Sequence, residues 1–201
     1  NQEREYLKAA ERAALMLREA APSEHSYLTI TGFKDAQGLV AKDGALLIPM
    51  RNLLTNALQG IQVIRWNEPE RKYEKKMNPG MKAKGAVFRM GDKTAPETFL
   101  VEGYATGLSV LAALRSVGLR ASVLVCFSAG NMVYIAPQIK RGFVFADNDV
   151  SGTGQKSAEQ TNMPWCMADE PGMDANDLHM KHGLMAVCQK LMEVRRMPIA
   201  A

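Results

Sequence analysis

The chain is poor in the residues that make disulfide frameworks and zinc knuckles. Its three cysteines, Cys126, Cys166 and Cys188, are odd in number, widely separated and set among apolar neighbours. That excludes a disulfide framework and a zinc site built on them, and a reducing cytoplasm is the expected compartment. Histidine is equally scarce. His25 stands alone, while His179 and His182 share a helical face without a third ligand nearby, so all three are read as surface residues. No apolar run is long enough to span a bilayer, and residues 1–21 read as a charged amphipathic helix instead of a signal sequence. A phosphate-binding G-x-x-x-x-G-K-[ST] loop is also missing. The first residue is Asn, from which we expect a segment cut from a longer protein.

What is present suits a globular protein. The 201 residues, 47% of them hydrophobic, are enough for one domain or for a compact domain with a smaller lobe. The formal charge of +4 says little alone, but its distribution says more. Arg65, Arg71, Lys72, Lys75, Lys76, Lys82, Lys84, Arg89 and Lys93 are opposed over that stretch only by Glu68, Glu70, Glu74 and Asp92. The 13 methionines, Trp66 and Trp165 are read as packing residues.

Apolar spacing predicts a surface helix over 3–20, ending before Pro22. ALLIPM (45–50) and IQVIRW (61–66) predict strands of a small antiparallel sheet. Residues 67–85, polar, basic and punctuated by Pro69, Pro79, Gly80 and Gly85, read as an exposed and mobile loop. From Thr98 the pattern alternates: TFLVE, SVLVCF, FVFAD and MPWCMA as strands, with helices between them and a last helix from Asn176 to about Arg195. Such alternation predicts a parallel sheet flanked by helices. The expected organisation is an amphipathic helix over 1–21, a small basic mixed α/β lobe over 22–96 and an α/β catalytic domain over 97–201.

Open parallel sheets bind ligands at the carboxyl ends of their strands. Glu102, Asp147 and Asp149 fall there, and Asp174 and Asp177 follow in a DAND segment. Crowded carboxylates repel one another and take up protons unless a hard cation neutralises them. Magnesium suits the set, since it needs only a few protein carboxylates and completes its shell with water and substrate phosphates; manganese could replace it. A calcium hand is not supported, because Gly152 comes too early and no distal Glu follows. Each acid also has a plainer reading: Glu102 as a cap of the helix near Tyr104, Asp147 to Asp149 as an Asx turn, and Asp174 with Asp177 as the cap and first turn of the last helix.

The order Glu-Gly, then Asp-x-Asp, then a further acidic motif resembles the TOPRIM domain of bacterial-type primases, topoisomerases and certain nucleases. EGYATG (102–107) is similar to the primase version, DAND (174–177) to the acidic motif of phage and plasmid primases, and KKMNPGMKAKG (75–85) to the basic segment preceding the catalytic sheet of primases. The resemblance covers about Tyr27 to Cys188. It implies a TOPRIM-like sheet after a small lobe, Glu102 as a metal-binding or acid/base residue, Asp147 and Asp149 as a metal pair, and Asp174 and Asp177 as further metal ligands. Lys75, Lys76, Lys82, Lys84 and Arg89 would bind nucleotide or DNA. The activity implied is primer synthesis on single-stranded DNA from nucleoside triphosphates, with a replicative helicase as a further partner and no membrane. No Cys and His cluster precedes residue 27, so the zinc module common in such primases is not expected here. The alternatives are a TOPRIM nuclease and a non-catalytic nucleic-acid-binding module. A receiver domain ranks last, since MPWCMA offers no strand-end Lys.

Overall fold

The computed structural model describes residues 1–198. The chain forms two compact units, Asn1–Phe88 and Arg89–Ala201.

The first unit opens with α1 (Gln2–Glu19), which carries Glu3 and Glu5 in its first turn and Arg18 in its last, charges that suit the ends of the helix dipole. It ends at Ala20 in extended conformation, one residue before Ala21, which Pro22 holds out of the helical region. Ala9 and Ala13 lie fully buried on its inner face, and Ala13 packs with Ala45, Leu47 and Ile61. The sheet beneath is antiparallel: β1 (Ala21–Ser23), β2 (Gly38–Val40), β3 (Leu46–Asn52), β4 (Leu58–Asn67) and β5 (Lys72–Met77) pair in succession. A short helix α2 (Ser26–Ile30) is capped by His25, whose Nδ1 accepts the Tyr27 N–H at 3.0 Å. This leaves Nε2 to donate to the Gly44 carbonyl, also at 3.0 Å.

Residues 67–85 depart from the expected loop. Lys72–Met77 form β5, paired with β4 in the register Trp66↔Tyr73 and Ile64↔Lys75. The strand was hidden because its lysines belong to a sheet edge, where charge is normal and discourages further pairing. Arg71 takes a left-handed conformation (φ 51°) in the turn, and the Asn67 carboxamide oxygen accepts the Glu70 N–H at 3.1 Å. Asn78, expected in an exposed loop, is 8% exposed. Its Oδ1 accepts the Ile61 N–H at 2.8 Å and its Nδ2 donates to the Ala9 carbonyl at 3.0 Å, tying α1 to β4.

Strand β6 (Ala86–Gly91) begins in the first unit and ends in the second. The second unit continues with β7 (Thr98–Val101), α3 (Tyr104–Ser116), β8 (Ser122–Val125), α4 (Ala129–Ile135), a 3-10 turn (Ala136–Gln138), β9 (Gly142–Ala146), α5 (Thr153–Gln160), β10 (Trp165–Met167), α6 (Ala175–His182) and α7 (Leu184–Arg195). Its strands run in the order β8-β7-β9-β10, all parallel. Helices α3, α6 and α7 pack together, as do α4 and α5, so two helical groups flank the sheet. The α/β architecture expected from the alternation is therefore present. The last helix is not continuous: Gly183, at φ 88°, breaks it into α6 and α7, because a left-handed residue cannot continue a right-handed helix.

Phe99 and Phe143, directly paired between β7 and β9, stack with centroids 5.1 Å apart in the core. Glu97, 8% exposed just before β7, receives two hydrogen bonds from Arg195 at the end of α7, at 2.7 and 3.0 Å, and an ion pair from Arg141 at 3.4 Å. The cysteines are free thiols. Among the described residues no helix is long and apolar enough to cross a membrane.

Replacing Asn78 by Ala strips the Ile61 N–H and the Ala9 carbonyl of their buried partner, so the first unit should lose about 2–3 kcal/mol. Urea unfolding followed by far-ultraviolet circular dichroism measures that loss, and an unchanged midpoint would remove Asn78 from the lobe's framework.

Candidate active site

Strand order fixes where a ligand can enter the second unit. From β7 the chain passes to β8 on one side, and β9 then lies on the other, so the crevice between the carboxyl ends of β7 and β9 is a topological switch point. Glu102 directly follows β7 and Asp147 directly follows β9. The register Leu100↔Val144, continued by two residues, sets Glu102 beside Ala146. The two acids thus share one crevice because they end neighbouring strands.

Electrostatics extends the group. The Asp147 carboxyl is pushed up to about 7, first by burial and then by the charges of Glu102, Asp174, Asp149 and Asp177. Its Oδ1 is buried and makes no hydrogen bond. Burial also raises Glu102, with the charge of Asp149 as the second cause. The five acids singled out from sequence therefore act on one centre. They do not form a closed cage: among the described residues no group of three or more His, Cys, Asp or Glu side chains is arranged to hold a metal ion by itself.

The reason lies in what the outer acids already bind. Both oxygens of Asp149 accept the Gly154 N–H at 3.2 Å. Asp174 and Asp177 form a reciprocal capping box at the start of α6, with Asp174 Oδ1 accepting the Asp177 N–H at 2.8 Å and Asp177 Oδ2 accepting the Asp174 N–H at 3.0 Å. The capping reading of DAND and its proximity to Asp147 hold together. The Asx-turn reading of Asp147 to Asp149 gives way to a different arrangement, in which the middle residue does the bridging: Asn148 donates its side-chain N–H to the Ala168 carbonyl at 2.9 Å and its backbone N–H to Met173 at 3.0 Å. Glu102 is not the cap of α3, which is Gly103.

Two backbone features hold the crevice. A Cβ at Gly154 would overlap the Asp147 carbonyl oxygen, so only glycine lets α5 start this close to the strand end. Phe127, just past β8, has φ 69° and donates its N–H to the Glu102 carbonyl at 2.8 Å. Sustained left-handed geometry in a bulky residue is strain that the surroundings must hold in place.

Sequence reading missed the support behind the acids. Asn176, inside DAND, donates to Ser109 Oγ at 3.0 Å, and Ser109 also bonds His179 Nδ1 at 3.0 Å. This buried contact joins α6 to α3, the helix that follows Glu102. His179 is thus no bare surface residue, and burial lowers its pKa; His182 pairs with Glu170 at 2.6 Å. Asp174 to Asp177 spacing pointed to the cap, but nothing in the sequence links Ser109 to residues 67 and 70 positions away.

The basic residues divide. Lys75 and Lys76 lie exposed on β5, and Lys82 and Lys84 are exposed beyond it in the first unit. Gln59 holds that last segment through the Lys82 carbonyl at 2.5 Å and the Lys84 carbonyl at 3.2 Å. Arg89 belongs to the second unit, half-buried, with its guanidinium donating to Ser122 Oγ. Ser122 is at the amino end of β8, so Arg89 sits at the end of the sheet opposite the acids, and burial lowers its pKa.

A carboxyl whose folded pKa is raised above its unfolded value of 3.8 disfavours folding once the unfolded chain ionises. With EDTA present, stability should therefore fall as pH rises from about 4 to about 7, by about 2–4 kcal/mol from Asp147. Urea titrations across that range should show the decline, and Asp147→Asn should flatten it; an unaltered slope in the variant would mean that Asp147 is not the repelled group. Gly154→Ala should cost about 2 kcal/mol or more by displacing the Asp147 carbonyl, read as a lowered thermal midpoint.

No protein-family model and no curated protein sequence matches the chain. Solved structures do. The primase fragment of the bacteriophage T7 primase-helicase protein aligns with TM-score 0.50 at 17% identity over 76% of this chain and 66% of its own. The Aquifex aeolicus primase, comprising its zinc-binding and RNA polymerase domains, aligns with TM-score 0.51 at 14% identity over 96% of this chain and 61% of its own. The chain spans less than two thirds of either structure. The chain has the fold of these primase fragments.

Proposed function

We propose that the chain is the catalytic core of a DNA primase, a metal-dependent nucleotidyltransferase that makes short primers on single-stranded DNA from nucleoside triphosphates. The observation that carries the reading is the group of mutually repelling carboxylates around Asp147 at the switch point of a sheet with the primase fold. An orphaned, buried Asp147 Oδ1 is what a cation would satisfy. The donor set fits magnesium, or manganese in its place, because such an ion takes only a few carboxylates and completes its shell with water and phosphate. Glu102, Asp147 and Asp149 would hold it, with Asp174 and Asp177 adding negative potential from the capping box. When bound, it would supply charge stabilisation for attack of a primer 3′ hydroxyl on an α-phosphate.

The chain's own contribution is placement. Adjacent strand ends fix Glu102 against Asp147, the Gly154 N–H orients Asp149, and the Ser109 contact keeps α6 in register with α3. The exposed lysines Lys75, Lys76, Lys82 and Lys84 are assigned to template or triphosphate phosphates, a contribution that weakens with salt; Arg89 would act through the general positive field. A replicative helicase is a fitting partner, since the T7 neighbour is a fragment of a primase-helicase protein, and the cytoplasm is the matching compartment.

Incorporation of radiolabelled ribonucleotides on single-stranded DNA tests the proposal. Magnesium should support it and EDTA abolish it, while Asp147→Asn, Asp149→Asn and Glu102→Gln should each lower it by about 10²–10³-fold. Cleavage of the DNA without extension would make the protein a nuclease. If the double variant Asp147→Asn/Asp149→Asn binds DNA at least as well as the parent, and neither reaction occurs, the fold serves binding alone.

A further inference from the structure

The β4–β5 hairpin carries an aromatic cluster that the acidic centre does not use. Trp66 and Tyr73 face each other across the strands with rings 5.0 Å apart in edge contact. Tyr73 meets Tyr27 in the same way at 5.2 Å, and its hydroxyl bonds that of Ser26. Side chains alternate across a strand, so Trp66, Tyr73 and Lys75 share one face of the hairpin. Burial falls steadily along the row: Tyr27 is buried, Tyr73 is half-buried, and Trp66 is 48% exposed. The sequence reading of Trp66 as a packing residue is thus only half right. The indole N–H donates to Glu68, which fixes the ring's orientation.

Charge on the hairpin selects a partner. Glu70 is paired with Lys72, Glu74 with Lys76, and Arg65 with Asp43. Among the described residues Lys75 and Arg71 form no ion pair. The Lys75 ammonium lies over the Tyr27 ring, 5.4 Å from its centroid, and Arg71 is exposed at the hairpin turn. An oriented indole flanked along the hairpin by two cations without ion-pair partners among the described residues suits a polymer of aromatic bases joined by phosphates. Bases in a duplex are stacked on one another and cannot lie on a side chain, whereas those of a single strand can.

We propose that Trp66 is a base-stacking residue: the exposed turn end of the hairpin binds single-stranded nucleic acid, one base lying against the indole while Lys75 and Arg71 neutralise the neighbouring phosphates. The site deepens the functional reading above, resting on its single-stranded template, but it needs neither metal nor catalysis.

Fluorescence anisotropy of labelled oligo(dT) with the full chain in EDTA, over a series of salt concentrations, tests it. Trp66→Ala should weaken binding about ten- to a hundredfold and Trp66→Phe much less, since a smaller ring still stacks. Lys75→Ala should lower the salt slope by about one. In a Trp165→Phe background, oligonucleotide should quench the remaining indole emission. If Trp66→Ala binds like the parent, or duplex competes as well as single strand, the stacking site is overturned while the acidic-centre reading stands. If the parent binds no single-stranded DNA, the template reading and the stacking site fall together.

Discussion

Repulsion among carboxylates is the constraint around which the second unit is arranged. Asp147 is half-buried at a strand end with four other acids acting on it, and among the described residues its buried Oδ1 has no hydrogen-bond partner. A fold tolerates such a charge cluster only if stronger local interactions over-determine its members. Here they are backbone donors: the Gly154 N–H for Asp149 and the reciprocal cap for Asp174 and Asp177. The inner pair, Glu102 and Asp147, is left to the sheet itself, through parallel pairing of β7 with β9 and the stacked Phe99 and Phe143 beneath it. Stability lent by the core is held in readiness as electrostatic strain at the crevice.

The sequence made the alternating half of the chain legible because each buried strand is a short apolar run followed by a helical period. The acids at strand ends were legible for the same reason. What stayed hidden has specific physical causes. Strand β5 is polar because it lies at an edge, so KYEKKM reads as loop until Trp66 is seen opposite Tyr73. The break at Gly183 depends on a backbone angle that an LMAV run directly afterwards disguises. Ser109, Asn176 and His179 meet only through the packing of α3 on α6, a long-range polar contact that no local pattern encodes.

The first unit is organised by a different device. Small residues on α1 let it approach the sheet closely, and one carboxamide, Asn78, satisfies backbone groups of both layers. That economy explains how a segment rich in Lys, Pro and Gly can still be ordered. On the face of the hairpin away from α1, Ile64 and Tyr27 are buried and only the far end, at Trp66, runs out into water.

The clamp on Glu97 bears on how the protein comes into being. A carboxylate that is 8% exposed finds its main partner, Arg195, 98 residues further along. Until α7 packs, the acid preceding β7 has only the Arg141 ion pair at 3.4 Å to offset its charge. Closure of this clamp is therefore a non-local event, joining residues 98 positions apart at the last turn of α7. A single carboxylate thus binds the first strand of the parallel sheet to the last turn of α7.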